Sequence, residues 1–485
     1  MIFHGFNMRS AFFIVIFPLF VFTDTIVTTH YRNPSDMNNF IDLVDTNTNT
    51  LLKSLPVPQG YGGTDIAITR GASGHPLAYV VIRNLGDGVN TFGSQNITVV
   101  DVALQSIVAV ITENIPTLPN VITVMPNGKK AYVATLSGDI FVIDTATNTI
   151  ISTPVIGGGN FNDISITPDG TRVFAVSTSQ GKVYVINTNT DSQPAGSPIS
   201  VGIDPNSGSM DPLGQFYYVG NPGSSSISII NTQSLTVSTL NGISVASNLS
   251  FVAVSDDNQF LYVPGTMHTV TVIPIATHIP TPFTINQIGQ VQIIPTQSGY
   301  VYLTTLPMGQ SGQGYYSAFL NGNLVVDSNM AGIGDTFGCV TSDNKVYLSN
   351  YGSANYIDTS LTLIPAANPT AATEVLRGAF TVGLNWIAAA PNSTNVAVRS
   401  LKNRFFLQTE LYNEISWSWP AEAIPSSYKI YRDAALTDLL AIVPSNQFIY
   451  LDRNREKNTN YSYYLTFISG GIEYALGNCS VTSAP

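Results

Sequence analysis

The chain has 485 residues, with 19 Lys and Arg against 30 Asp and Glu, and a formal net charge of −11 at pH 7. This acidity excludes simple binding to nucleic-acid phosphates or to anionic lipid, since both need a positive protein surface. Charged residues make up only 10% of the chain, so Asn, Ser, Thr and Gln must provide solubility, in agreement with export.

The first elements in the chain are a basic residue and an apolar run. Arg9 precedes the run Ala11–Phe22, which is typical of a signal-peptide core and too short to span a membrane. Residues 1–24 are therefore predicted to be a signal peptide, with Met8 as a possible alternative start and an uncleaved anchor as the lesser alternative. The mature protein is expected to be secreted, periplasmic or on the outer cell surface, without a membrane span.

A phrase recurs about every 43 residues through the next part of the chain. The segment Asn120–Val133 matches Asn162–Ala175, and a second motif, Ile-Asp-Thr at Asp144 with a variant at Asp101, gives two equivalent aspartates 43 residues apart. Short strands repeated at a period of about 40–45 residues predict a β-propeller with one blade per repeat. The fold class is thus all-β, and residues 25–400 are predicted to form the propeller.

The two ends of this repeat array are complementary. The N-terminal copy lacks its first strand, and the C-terminal copy stops after a first strand near Asn385 and a second one at 395–399. Pairing of the two ends in one composite blade would remove exposed sheet edges. The count is then eight blades, although seven stays open because the repeats near Asn321 and Asp358 are degenerate.

The clearest repeats, with Pro-Asp-Gly turns and Tyr-Val strands, resemble the bacterial YVTN-type propeller repeat. The resemblance covers Thr25 to Arg399 and is strongest before Pro274. It implies a secreted or cell-surface location. Related propellers include sugar lactonases and the propeller domain of nitrous-oxide reductase, but this chain shares their frame and not a catalytic motif.

The period stops near Leu401, and residues 401–485 form a predicted second domain. Three segments, at 415–420, 428–433 and 461–467, resemble strands B, C and F of a fibronectin type III β-sandwich. The resemblance implies that Trp417 is the buried tryptophan and that Tyr461 is the tyrosine-corner residue. Cys339 and Cys479 fall in different domains and are expected to be buried thiols.

One column of the repeat is polar in every copy and suggests a ligand site. It lies six residues before the turn proline, where an innermost strand approaches the mouth of the central channel. The candidate ligand-binding residues are Thr64, Asn120, Asn162, Asn206, Ser250, Gln290, Thr336 and Asn385, with Asp65 and Asp163 one position later. Such a ring could hold a small polar ligand, and the simpler alternative is that its amides cap the turns between blades.

No motif of metal or nucleophilic chemistry is visible. The histidines show no ligand spacing, and no nucleophile–base pair appears; no metal, cofactor or catalytic residue is therefore predicted. The recurrent aspartates at one hairpin position are interpreted as Asx-turn residues that bond to their own backbone. They are Asp45, Asp101, Asp144 and Asp358.

The favoured function is that of a monomeric, non-catalytic binding or scaffold protein, whose propeller loops bind a protein or a glycan at the cell surface. One alternative is a lactonase-like hydrolase or lyase with its site in the propeller channel. Another alternative is a structural component of the cell envelope. The absence of clustered His, Glu or Lys in the sequence weighs against the enzyme.

Overall fold

The structure is a computed structural model of the whole chain. It describes residues 24–31, 39–57, 63–70, 75–83, 95–116, 118–246, 251–266, 268–286, 290–305, 313–333, 336–341, 344–350, 360–365, 368–376, 384–391, 396–404, 409–417, 427–433, 436–444, 449–453, 455–469 and 472–482. The predicted signal peptide and most of the insertion Gly71–Gly93 lie outside these residues.

Short antiparallel strands fill the chain as far as Pro391. The first sixteen are β1 Asp24–Tyr31, β2 Asn39–Asp45, β3 Thr50–Pro56, β4 Gly63–Arg70, β5 Pro76–Ile82, β6 Asn96–Asp101, β7 Ser106–Ile111, β8 Pro119–Val124, β9 Lys130–Thr135, β10 Ile140–Asp144, β11 Thr149–Val155, β12 Phe161–Ile166, β13 Arg172–Ser177, β14 Lys182–Asn187, β15 Ile199–Ser200 and β16 Ser207–Met210. The next sixteen are β17 Phe216–Asn221, β18 Ser226–Asn231, β19 Val237–Asn241, β20 Ala253–Val254, β21 Phe260–Pro264, β22 Thr269–Pro274, β23 Thr281–Thr284, β24 Gln290–Pro295, β25 Tyr300–Thr305, β26 Gln313–Leu320, β27 Asn323–Ile333, β28 Thr336–Val340, β29 Val346–Asn350, β30 Ser360–Ile364, β31 Thr373–Val375 and β32 Leu384–Pro391. A 3-10 turn at Pro222–Ser224 is the one helical element among the described residues.

These strands form four-stranded sheets in sequence order. Seven sheets are simple meanders that begin at β4, β8, β12, β16, β20, β24 and β28. The remaining sheet has the order β3-β2-β1-β32, so it joins the two ends of the array. The pairing of Val27 with Ala388 lies within this junction, which is the arrangement that the complementary ends of the repeat predict.

The first strand of each meander, together with β32, forms an inner ring. Each of these strands lies against the first strand of the next sheet, and β32 lies against both β28 and β4. Side chains also pack between the first and last sheets, where Ile26 and Val44 contact Tyr347 and Leu361. The sheets therefore close around a central channel as a β-propeller, which confirms the predicted all-β propeller fold.

Tyrosines on two of the second strands, β5 and β29, connect their sheets to the next sheet around the ring. The Tyr79 hydroxyl donates to Asn148 Oδ1 at 2.6 Å, and the Tyr347 hydroxyl donates to Asn49 Oδ1 at 2.7 Å. Both asparagines have positive φ, 54° and 52°, and Asn tolerates that left-handed conformation well. In both places a tyrosine hydroxyl is thus hydrogen-bonded to an asparagine in a hairpin turn of the neighbouring sheet.

We predict that Tyr347→Phe lowers stability by about 1–2 kcal/mol, because it leaves the partly buried Asn49 Oδ1 without this donor. Tyr184→Phe is the matched control, since its hydroxyl bonds to the exposed Gln180 of its own sheet and water can replace it. Thermal unfolding of the two variants measures the difference. Equal melting temperatures would show that the tyrosine contact between sheets adds nothing.

The aspartate of the repeated hairpin motif stabilises its turn through side-chain hydrogen bonds. Asp144 Oδ1 accepts from the amide groups two and three residues later, at 2.9 and 3.0 Å. Asp45 Oδ1 and Asp101 Oδ1 accept from Asn47 and Leu104 in the same way. The Asx-turn interpretation is confirmed for these three aspartates, and Asp358 lies outside the described residues.

The C-terminal part forms two further sheets. Its strands are β33 Val396–Arg404, β34 Thr409–Trp417, β35 Ser427–Tyr431, β36 Leu439–Pro444, β37 Ile449–Arg453, β38 Asn460–Ser469 and β39 Ile472–Thr482. One sheet has the order β33-β34-β37 and the other has the order β36-β35-β38-β39. Because β33 pairs with β34 along its whole length, the strand that the repeat pattern assigned to residues 395–399 of the propeller belongs to these sheets. The strand that ends at Pro391 belongs to the composite propeller sheet, and the strand that begins at Val396 belongs to the C-terminal sheets.

Two predicted landmarks of this part can be located. The Tyr461 hydroxyl accepts a hydrogen bond from the amide of Glu456, at 2.9 Å. Trp417 ends β34, and its side chain is outside the described set. Cys339 and Cys479 are free thiols in β28 and β39.

Candidate functional site

The predicted polar column coincides with a β-bulge in three successive sheets. The pairing register shifts between residues 63 and 65, between 119 and 121, and between 161 and 163. Thr64, Asn120 and Asn162 are the extra residues. Bulges redirect neighbouring side chains and are common beside active sites, so this edge of the inner ring is the natural place for a site.

Two carboxyl groups follow the bulges, and each bonds to the next inner strand. Asp65 accepts from its neighbour Ile66 through Oδ1 and from Ile122 of β8 through Oδ2, both at 2.8 Å. Asp163 Oδ2 accepts from Gly208 of β16 at 2.7 Å. Neighbouring inner strands are thus tied by side chains where backbone pairing is absent.

Later sheets use uncharged residues for the same contact. Ser207 Oγ accepts from the amide of Val252 at 3.1 Å, and Gln292 Oε1 accepts from the amide of Gly338 at 2.7 Å. A neutral side chain is therefore enough to join the strands. The contact between strands therefore does not require the carboxyl groups of Asp65 and Asp163, which makes them candidates for catalytic residues.

The surroundings of both aspartates favour the protonated acid. Each of the two residues is half-buried. Burial raises the pKa of Asp65 and that of Asp163 to about 7, against the effect of the amide hydrogen bonds. The charge of Asp163 raises the pKa of Asp65 further.

A buried tyrosine stands beside Asp163. Tyr217 is fully buried in β17. Burial raises its pKa well above the usual range, and the charge of Asp163 raises it further, while a hydrogen bond with the Ser165 side chain opposes the shift. A Cβ atom at Gly208 would lie 2.1 Å from the Tyr217 hydroxyl oxygen, so a larger residue at this position would clash with the ring.

Two amides of the predicted ring donate hydrogen bonds to the protein, and the amide of Asn120 bridges neighbouring sheets. Asn120 Nδ2 donates to the Phe161 carbonyl at 2.9 Å, and its Oδ1 accepts from Arg83 Nη1 at 2.7 Å. Asn162 Nδ2 donates to Thr178 Oγ1 at 2.8 Å. These contacts agree with the capping alternative for the asparagines.

Two other ring members retain buried polar atoms without a partner. They are Thr64 Oγ1 and Asn206 Nδ2. Ser250 lies outside the described residues. Gln290, Thr336 and Asn385 lie in β24, β28 and β32, but their side chains are not described. Ligand binding by the ring stays a prediction.

Two residues of this region were not predicted from the sequence. Arg83 follows β5 directly, and Tyr217 precedes the Tyr-Val position of its repeat. Neither belongs to a periodic column, so the repeat pattern gives no signal for them. The one available signal was the scarcity of basic residues, which makes a cation at a strand end unusual.

The described part of the chain contains no group of three or more His, Cys, Asp or Glu that could hold a metal ion. No helix within those ranges is long and apolar enough to cross a membrane.

Comparison with solved structures places the chain among β-propeller proteins. It is similar in fold to the dihydro-heme d1 dehydrogenase NirN, solved in complex with DHE, with a TM-score of 0.55 and 13% identity over 75% of this chain and 74% of that chain. It is also similar to hydrazine synthase from Kuenenia stuttgartiensis (TM-score 0.41, 16% identity, 52% of this chain and 78% of that chain). A third neighbour is a protein from Lactobacillus plantarum (TM-score 0.46, 17% identity, 63% of this chain and 95% of that chain). No family model and no curated protein matches the chain.

The leading functional prediction, a non-catalytic binding or scaffold protein, is wrong. NirN, which shares the fold over three quarters of the chain, is an enzyme, and this finding favours the alternative prediction of a propeller enzyme. At 13% identity the likeness is one of fold, so the chemistry must be argued from the residues of this chain. The expected protein or glycan partner, monomeric state and location stay predictions.

Proposed function

We propose that this protein is a propeller enzyme of the hydrolase or lyase type, and that its site is the channel wall around Asp65 and Asp163. The observation that carries the proposal is the pair of partly buried carboxyl groups on the inner strands β4 and β12, which accept from backbone amides where other sheets use neutral side chains. Neither group has an ion-pair partner among the described residues. Two acidic groups with raised pKa values and no cation beside them are suited to proton transfer.

In the proposed reaction one carboxyl group acts as general base and the other acts as general acid. Near neutral pH the pair holds about one proton, because ionisation of Asp163 opposes that of Asp65. In hydrolysis the ionised group takes a proton from water as the water oxygen bonds to the acyl carbon. The protonated group gives its proton to the departing alkoxide oxygen, and the pair ends with one proton as before.

We predict that Asp163→Asn or Asp65→Asn lowers turnover by about 10²- to 10⁴-fold, the usual contribution of one acid–base group. A panel of small lactones, followed by proton release in a pH-indicator assay, measures turnover. Asp144→Asn is the control, because Asn already performs the same Asx turn at Asn187 and should leave the rate unchanged. Lack of turnover by the unaltered protein across lactone and elimination substrates, or equal rates in the Asp163→Asn variant, would contradict the proposal.

The finer architecture that we propose is an eight-bladed propeller of YVTN-like repeats, followed by a fibronectin type III-like domain. The closed inner ring and the composite β3-β2-β1-β32 sheet support the count of eight. A sandwich of this type has sheets ABE and C′CFG, and the orders β33-β34-β37 and β36-β35-β38-β39 agree with them. The bond between Tyr461 and the backbone of Glu456 supports a tyrosine corner.

Export is part of the same proposal. The apolar run Ala11–Phe22 supports a signal peptide over residues 1–24 and a secreted, periplasmic or cell-surface location. We propose two domains that correspond to 25–400 and 401–485. The boundary between them is moved to residues 391–396, because β32 is the last propeller strand and β33 is the first strand of the C-terminal sheets.

A further inference from the structure

Arg83 is a half-buried cation without an anionic partner in the described part of the chain. It follows β5, and its Nη1 donates to the neutral Asn120 Oδ1 at 2.7 Å. Its Nε is buried and has no acceptor. Burial lowers its pKa, and no carboxylate of the described residues opposes the effect.

An arrangement of this kind is unfavourable in a protein without a ligand. Buried charges are almost always paired, because desolvation of a charge is costly. The aspartates of the proposed site do not fill the role, since Arg83 does not contribute to the pKa of Asp65 or Asp163. The guanidinium therefore has capacity for an external anion.

The geometry favours an oxyanion with two adjacent oxygens. With Nη1 occupied by Asn120, the edge made by Nε and Nη2 has no acceptor among the described residues. Two parallel N–H groups on one guanidinium edge match two oxygens of a carboxylate or a phosphate, and of these two anions the proposed hydrolase would produce the carboxylate. Asn120 is itself held by the Phe161 carbonyl at 2.9 Å, so it fixes the position of Arg83.

We infer that Arg83 binds the carboxylate group of a small carboxylic acid substrate or product, with Asn120 as its positioning residue. This inference rests on the proposed function, because the carboxylate would belong to a substrate or product of the site around Asp65 and Asp163. The protein carries a net charge of −11 and repels anions overall. A local cation at Arg83 is then what makes an anionic ligand acceptable there.

The test measures binding, not turnover. The probes are lactate, malate and gluconate, with lactamide and glucose as neutral counterparts, each titrated by calorimetry or ligand-observed NMR. We expect at least one carboxylate to bind the unaltered protein and its neutral counterpart to bind weakly. Arg83→Gln should weaken carboxylate binding by about 10- to 100-fold, and Arg83→Lys should restore only part of it because the bidentate edge is lost.

Three further variants separate the possible causes. Lys53→Gln removes an exposed charge on β3 and should bind like the unaltered protein. Asn120→Asp supplies an internal carboxylate to Arg83 and should also weaken binding, which keeps the test valid if Arg83→Gln does not fold. Asp163→Asn should keep carboxylate binding even where turnover is lost, so this inference and the proposed function can fail independently.

Two results would overturn the inference. One is equal carboxylate affinity in the Arg83→Gln and unaltered proteins. The other is binding of none of the three carboxylates, or of inorganic phosphate in their place.

Discussion

Replacement of both Asp65 and Asp163 by Asn is expected to make the propeller more stable at pH 8 and to leave its stability at pH 4 nearly unchanged. The pKa of each carboxyl is raised from 3.8 to about 7 by burial. Asn has the shape of the protonated acid but cannot ionise. The double variant is therefore free of the penalty that ionisation imposes on the unaltered protein.

The direction of the pH effect follows from proton uptake. Between pH 4 and 7 the folded protein binds more protons at these two groups than the unfolded chain does, so rising pH favours unfolding. The loss is complete above the folded pKa of about 7. Each raised carboxyl contributes at most about 4 kcal/mol to it, since one pKa unit corresponds to about 1.4 kcal/mol.

Melting temperatures at half-unit steps from pH 4 to pH 8 measure this effect. The Asp45→Asn/Asp144→Asn double variant is the matched control, because it removes two carboxylates that only form Asx turns. The control should keep the pH profile of the unaltered protein, and the Asp65→Asn/Asp163→Asn profile should be flatter. A steeper profile, or a loss of stability at pH 8, would show that the two carboxylates are ionised and stabilising in the folded protein.

Much of the propeller could be predicted because its repeat is made of local chemistry. The turn role of Asp144 depends on amides two and three residues away, which any sequence displays directly. The partner of Tyr347 is Asn49 of the first sheet, 298 residues earlier, yet Asn49 occupies the same turn position as Asn148 of another repeat. Contacts that repeat are visible in a sequence even when they are distant.

The candidate site was visible only in part because its components come from different repeats and do not recur. Asp65 and Asp163 appeared in the polar column as added charge. The effect of the Asp163 charge on the pKa of Asp65 depends on the fold, because β4 and β12 both lie against β8. Arg83 and Tyr217 occupy positions without a periodic pattern. The prediction of a non-catalytic protein failed for this reason, since it depended on catalytic residues being clustered in the sequence or composition.

The largest effect on folding is expected from Val27→Asp, which places a charge in the composite sheet that joins the two ends of the repeat array. Val27 is fully buried in β1, between its pairing partners Leu43 of β2 and Ala388 of β32. Its side chain packs with Ala78 and Val80 of the next sheet. A carboxylate there has no partner and displaces a core contact, which places the change above about 4 kcal/mol.

The physical consequence extends beyond one side chain. Failure of the composite sheet opens the ring, and strands β4 and β28 then present unpaired faces and edges to other molecules. We therefore expect the Val27→Asp protein to elute as aggregates in size-exclusion chromatography and to lack the propeller's unfolding transition. Val108→Asp is the control, because Val108 lies on the outermost strand β7 and is 47% exposed, so it should be neutral within about 0.5 kcal/mol. A soluble Val27→Asp protein with an unchanged melting temperature would mean that stability does not depend on joining the two ends, and the sheets would then have to hold together by their packing alone.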